Sequence, residues 1–209
     1  ELQKAKTLFS NLHYLPGQTS NGLRKKTKYC NTADLKQESY KEIYNYFSSL
    51  YPSKKEFSSI YGFKDLTLPY PVQYLEGMYY DYHVDELEMN GVRSDYSMTL
   101  FLSNPDDYDG GELVLKQGDV TTPIKLPAGK AILYDTGIVH KVNPVTRGTR
   151  NVILFWAQSI FKDSAIREHC VKLAKTIQYF SGIIPENEKQ KFSELEQSRI
   201  NLMRHYADI

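Results

Sequence analysis

Four residues carry the chemistry this sequence offers: His83, Asp85, His140 and Arg150. His83 and Asp85 stand two apart in Tyr80-Asp81-Tyr82-His83-Val84-Asp85. On an extended segment, residues two apart face the same way, so an imidazole nitrogen and a carboxylate oxygen would aim at one point. Such a pair can bind a divalent transition metal, although His-x-Asp alone arises easily by chance. His140 follows fifty-five positions after Asp85, at the end of Ile132-Leu133-Tyr134-Asp135-Thr136-Gly137-Ile138-Val139-His140. Ten positions later Arg150 opens the most apolar stretch of the chain. There Arg150, Val152, Leu154 and Trp156 would share one face, and Asn151, Ile153 and Phe155 the other. An arginine among inward-facing residues needs an anionic partner, because an unpaired buried guanidinium is costly. A bound dicarboxylate would supply one with two-pronged hydrogen bonds.

Two histidines and one carboxylate on one face of a metal form the facial triad of non-haem iron(II) sites. Three protein ligands leave three positions open. A keto acid could take two and dioxygen the third, with Arg150 holding the keto acid's far carboxylate.

The elements that must position these residues change character along the chain. Leu8, Phe9, Leu12 and Tyr14 suggest a short strand or turn, broken at Pro16-Gly17. Tyr40, Ile43, Tyr44 and Phe47 recur at three and four, which predicts a helix over 34–50, with Asp34 and Gln37 as a capping box and Pro52 as the stop. From 66 to 156 short strand-like runs take over: 72–75, 97–102, 112–116, 122–126, 131–134 and 151–158. Turn residues separate them, and Gly110-Gly111 reads as a hairpin turn. Such spacing predicts a β-sandwich or barrel. After Trp156, Asp163 or Ser164 can cap a helix carrying Ile166, Cys170, Leu173, Ala174 and Ile177. A last charged helix over 187–206 follows the break at Ser181-Gly182 and Pro185. The expectation is one domain over 1–209, with N-terminal support (1–65), a β-core (66–160) and C-terminal helices (161–209).

Composition sets further bounds. Lys and Arg total 26 and Asp and Glu 25, a net charge of +1, so no global electrostatic case for nucleic-acid binding exists. The run Arg24-Lys25-Lys26-Thr27-Lys28 reads as a solvated loop. The two cysteines, Cys30 and Cys170, form no metal-type pair and suit a reduced, cytoplasmic protein, although one disulfide stays open. No apolar run has the length of a membrane span, and the first residues do not read as a secretory signal. Seventeen tyrosines and nine phenylalanines suit a compact core with an aromatic-lined cleft.

Beyond these patterns the sequence resembles the prolyl 4-hydroxylase-like iron(II)- and 2-oxoglutarate-dependent dioxygenases, and more closely the PKHD-type hydroxylases. The resemblance rests on Tyr74 through Asp85, Phe101 through Leu113, Leu126-Pro127-Ala128-Gly129, His140 through Arg150, and Phe155 through Ser159. It spans roughly residues 70 to 165. It implies a double-stranded β-helix, or jelly-roll, core within a mainly β fold with flanking helices. It implies that His83, Asp85 and His140 bind iron, that Arg150 binds the distal carboxylate of 2-oxoglutarate, and that Tyr74 lies on the co-substrate side. Dioxygen and, as reductant, ascorbate come with the family. The presence of Asp85 favours hydroxylation over halogenation, since related halogenases lack that carboxylate. The implied substrate is a prolyl residue in a peptide or protein, with a free amino acid or other small metabolite as the alternative.

Two other classes stay open. A nucleic-acid demethylase of related fold would want a basic face and a base-stacking platform. A non-catalytic jelly-roll module would normally show a broken ligand set, and this set is complete. His13, His169 and His205 read as ordinary core or surface histidines. Asp135 is either a group that orients a ligand histidine or a plain turn aspartate. Trp156 either packs in the core or lines the co-substrate pocket. Tyr80 and Tyr82 read as core or cleft wall. The segment from Glu86 to Tyr96, with Arg93 and Asp95, reads as a polar substrate-contacting loop.

Overall fold

The computed structural model describes residues 1–17, 27–50 and 55–208. In chain order its elements are α1 (Leu2–Ser10), β1 (Tyr14–Pro16), β2 (Lys28–Tyr29), β3 (Asn31–Ala33), α2 (Glu38–Leu50), α3 (Lys55–Tyr61), β4 (Phe63–Leu66), β5 (Tyr70–Tyr74), β6 (Tyr79–His83), β7 (Glu88–Met89) and β8 (Val92–Arg93). Then come β9 (Tyr96–Phe101), β10 (Tyr108–Gly110), β11 (Leu113–Gln117), β12 (Val120–Ile124), β13 (Ala131–Asp135), β14 (Val139–Val142), β15 (Val145–Gly148), β16 (Arg150–Ser159), α4 (Ser164–Ser181) and α5 (Lys189–Tyr206).

The apolar strand β16 organises the molecule because both of its faces are covered. Ile153 and Phe155 pack under α1 and α2 with Leu8, Phe9, Tyr40 and Ile43. Val152, on the other face, packs between the sheets with Val72, Tyr74, Phe101 and Tyr108. A strand buried on both faces reads as a continuous apolar run, and this one does. The alternation expected from the sequence is the one observed.

Around β16 the major sheet runs β1-β3-β5-β16-β9-β13, with β4 also pairing β16. The minor sheet runs β12-β11-β14-β6-β2. All the pairings are antiparallel. Two antiparallel sheets with an apolar layer between them make the double-stranded β-helix that the short, punctuated runs predicted. The N-terminal segment joins both sheets: β2 extends the minor sheet beside β6, and β3 extends the major sheet beside β5. Only Cys30, buried at 1% exposure, separates them.

Helix α4 is fastened by charge. Its Arg167 is 4% exposed. Its guanidinium meets Asp95 at 3.2 Å and Asp135 at 2.5 Å, and donates to the Phe161 carbonyl. Asp163 caps the helix by accepting from the Ile166 amide at 2.9 Å. Among the described residues no helix is long and apolar enough to cross a membrane.

Several expectations need correction. Residues 2–10 form a helix, with only Tyr14 entering a strand; Ala5, Leu8 and Phe9 are its buried side. The capping box at Asp34 and Gln37 does not form, because the Gln37 amide is taken by the His13 backbone through two hydrogen bonds. Gly110-Gly111 is not a hairpin turn. β10 pairs with the distant β15, and the two glycines, at φ of 68° and 64°, let the backbone pass Pro144 and Val145. Pro52 and residues 24–26 of the basic run lie outside the described residues.

Gly148 gives a test of this packing. Its φ is +74°, and a Cβ there would collide with the Asp107 carbonyl opposite. Gly148→Ala is expected to lower unfolding free energy by about 2 kcal/mol or more in urea denaturation. A variant as stable as the parent would show that β10 and β15 are not held in this register.

Candidate active site

The histidines owe their meeting to strand pairing. β6 and β14 are neighbours, and His83 and His140 are register partners across them. Directly opposed residues in an antiparallel pair share a face, and the two rings lie 4.2 Å apart. Each ring is oriented in the same way. His83 Nδ1 lies 2.7 Å from the Asp81 carbonyl and His140 Nδ1 lies 2.9 Å from the Ile138 carbonyl. A carbonyl can only accept, so each Nδ1 carries the hydrogen and each Nε2 presents a lone pair.

A bulge adds a third ring. The β6–β14 register shifts between His140 and Val142, so that Val142 pairs with Tyr80. Strict alternation would put Tyr80 on the face opposite His83. The bulge instead stacks its ring on His83 at 3.5 Å and 17°.

Asp85 lies two residues beyond the end of β6, where no ladder fixes it. Its Oδ2 accepts from Ser97 Oγ at 2.6 Å and from Trp156 Nε1 at 2.9 Å. Ser97 and Trp156 are themselves register partners on β9 and β16. This leaves Oδ1, which sits 3.7 Å from the Nε2 of His83 and 3.7 Å from that of His140. The three donor atoms all lie within 4.8 Å of one another. One ion with bonds of about 2 Å reaches atoms so spaced. Two neutral imidazole nitrogens and a carboxylate oxygen, with room on the far side, suit a divalent transition metal such as iron(II).

Arg150 occupies the same cavity, about 400 Å³ in volume, whose walls also include Tyr74, Tyr134 and the three metal-type residues. It pairs across the sheet with Tyr74, and its guanidinium lies 5.0 Å from the Tyr74 ring and 5.5 Å from that of Phe101. It is 1% exposed. Among the described residues it forms no ion pair, and its Nε has no hydrogen-bond partner. The buried Tyr108 hydroxyl, which feels the Arg150 charge, has no well-formed hydrogen bond among the described residues. Burial holds the Tyr74 and Tyr134 phenols well above the usual range, although Arg150 pulls the other way. Both therefore stay neutral. The pocket thus has a buried cation that pairs with no carboxylate among the described residues.

His83, Asp85, His140, Arg150 and Tyr74, singled out from the sequence, all line this one cavity. Trp156 does more than pack, since its indole holds the Asp85 carboxylate. Asp135 does not orient a histidine; it pairs with Arg167 and accepts from the Gly137 amide. The segment from Glu86 to Tyr96 divides. Glu86, Glu88, Met89 and Asn90 line the cavity, while Arg93 and Asp95 pair with each other on the side facing α4. Ser97, Tyr134 and Lys28 were not assigned to the site from sequence. The strand parity that joins Ser97 to Thr99 could have flagged the first; nothing local marks Lys28.

Residues 71–158 match the profile of the 2OG-Fe(II) oxygenase superfamily. A PKHD-type hydroxylase of Picosynechococcus is 42% identical over 136 residues, which are 65% of this chain and 61% of that protein. The chain therefore spans about three fifths of the length of the curated relative it matches. A prolyl-4-hydroxylase of Pseudomonas putida superposes with a TM-score of 0.51 at 20% identity, covering 75% of this chain and 83% of that one. A Trichoplax adhaerens prolyl hydroxylase, solved with a hypoxia inducible factor peptide fragment, superposes at 0.55 with 19% identity, covering 75% of each. The family resemblance and the jelly-roll fold expected from the sequence are borne out.

Ser97 supplies the sharpest test of the geometry. Ser97→Ala frees one lone pair of Asp85 Oδ2 and loosens the carboxylate. Cobalt(II) titration is expected to show affinity lowered by about 10- to 100-fold. Unchanged affinity would mean that the Ser97 hydrogen bond does not orient Asp85.

Proposed function

From the likeness of residues 71–158 to the 2OG-Fe(II) oxygenase superfamily, we propose that this chain is an iron(II)- and 2-oxoglutarate-dependent dioxygenase that hydroxylates a C–H bond. In this reading His83, Asp85 and His140 hold the iron, and Arg150 holds the distal carboxylate of 2-oxoglutarate. The observation that carries it is the buried, unpaired Arg150 guanidinium in the cavity that also contains the triad. Unpaired buried charge is costly, and a dicarboxylate is the ligand that removes the cost.

The loaded centre supplies the oxidising chemistry, coupling loss of carbon dioxide from 2-oxoglutarate, which leaves succinate, to hydroxylation by dioxygen. The protein's own residues do the positioning. The Asp81 and Ile138 carbonyls keep both histidines in the metal-binding tautomer. Trp156 and Ser97 hold Asp85 so that one oxygen faces the histidines. The neutral Tyr74 phenol lies beside Arg150, where it can share the co-substrate carboxylate without repelling it. Tyr74, Tyr80, Tyr134 and Trp156 give the cavity aromatic walls against which a substrate can pack.

For the substrate, the names of the Pseudomonas putida and Trichoplax neighbours support a prolyl residue in a peptide or protein. A cavity of about 400 Å³ is also the size of a small-molecule site, which supports a free amino acid or other metabolite as the second reading. Ascorbate as reductant follows from the same likeness. Both cysteines are free and buried, which supports a reducing compartment, the cytoplasm.

Succinate formation from 2-oxoglutarate, measured with iron(II) and a panel of proline-containing peptides, tests the reaction. His140→Ala is expected to abolish it. Turnover surviving in that variant would overturn the metal assignment. Arg150→Met separates function from fold. Co-substrate binding is expected to weaken about 100-fold. The unliganded protein should melt at or above the parent temperature, since a buried unpaired charge has been removed. A sharp loss of stability would mean that Arg150 serves the core and not an anion.

A further inference from the structure

The cavity holds a second cation that this chemistry does not use. Lys28 lies on β2, beside Tyr80 of β6, and lines the same cavity. Its ammonium is 5.3 Å from the Tyr80 ring and 5.9 Å from the Tyr70 ring. Among the described residues it forms no ion pair. Tyr80 is the ring stacked on His83. The lysine is thus two ring contacts from the metal-type cluster.

Charge within the cavity decides what Lys28 is for. With iron(II) and 2-oxoglutarate in place, the metal's two charges and Arg150's one meet the Asp85 carboxylate and the two charges of the dianion. The deep part of the site is then neutral and needs no further cation. Lys28 is left over. Glu86 and Glu88 line the same cavity, yet among the described residues neither pairs with Lys28. A substrate group facing Lys28 is therefore drawn by one positive charge held beside two aromatic faces. Such an arrangement selects a substrate by its charge.

We propose that Lys28 is a specificity-determining residue that receives a carboxylate of the primary substrate. The substrate class is a molecule bearing a carboxylate close to the C–H bond that reacts. That group is either the free α-carboxylate of an amino acid or an acidic side chain adjacent to a prolyl residue. The inference rests on the oxygenase reading above, and it deepens that reading by selecting among its substrates.

The only tryptophan in the chain, Trp156, lines this cavity, so its fluorescence reports occupancy. The measurement uses the full chain loaded with cobalt(II) and 2-oxoglutarate, both loadings being read first in every variant. It is then titrated with twin probes that differ only in charge. N-acetylproline is set against N-acetylprolinamide, and an acetyl-Asp-Pro-amide peptide against its Asn counterpart. In at least one pair the acid is expected to bind tenfold or more tighter than its amide, and Lys28→Gln should erase the difference. Which pair responds tells the two carboxylate sources apart. Equal binding of the twins in both pairs, including no binding by any probe, overturns the inference, as does a preference for acid that survives Lys28→Gln. Weakened 2-oxoglutarate loading in Lys28→Gln would place the lysine on the co-substrate and overturn it too. Failure of the parent to load cobalt or 2-oxoglutarate would instead sink the oxygenase reading itself.

Discussion

The Asp85 carboxylate is divided between two sheets, and the site depends on that division. One oxygen is held by Trp156 and Ser97, a cross-strand pair of the major sheet. The other faces His83 and His140, a cross-strand pair of the minor sheet. Neither sheet alone could assemble three ligand atoms. The carboxylate has no ladder of its own, so its direction comes entirely from these two donors. A divided carboxylate of this kind fixes the spacing between the sheets as well as the metal-type cluster. Ions and buried networks are worth most where every lone pair is used, and here every one but the metal-facing oxygen has a partner.

Arg150 works against the fold in a complementary way. β16 is buried on both faces, and an apolar residue at its first position would suit that strand better. Among the described residues the guanidinium lies against the aromatic faces of Tyr74 and Phe101, which compensate a cation weakly. The strand that organises the core therefore carries its least comfortable residue at its first position, in the cavity wall. That is the pattern of a site that trades stability for binding.

Much of this was legible in the chain. Parity along β16 placed Arg150 and Trp156 on one face, and the spacing of turn residues gave the strands that build the jelly roll. His83, Asp85 and His140 could be grouped because extended segments have a fixed period. What could not be read depended on contacts far apart in sequence. Tyr80 reaches His83 only through a bulge, which shifts parity without any local signal. Asp135 and Asp95 looked available for the site, yet Arg167, seventy-two residues beyond Asp95, claims both. Gln37 was taken from its helix cap by His13. In each case a tertiary partner outbid a local preference. Lys28 belonged to a basic run whose plain reading was a solvated loop, and only strand pairing with β6 brings it inside.

The one-residue passage at Cys30 has an aggregation consequence. Because β2 and β3 lie on either side of it, the first third of the chain covers the open side of β6 in one sheet and of β5 in the other. A chain cut back to the β-core would leave both strands with unpaired amides and carbonyls. The strand bearing His83 would then become a template for pairing with another molecule, so the N-terminal segment protects the solubility of the metal-bearing strand as well as extending the sheets.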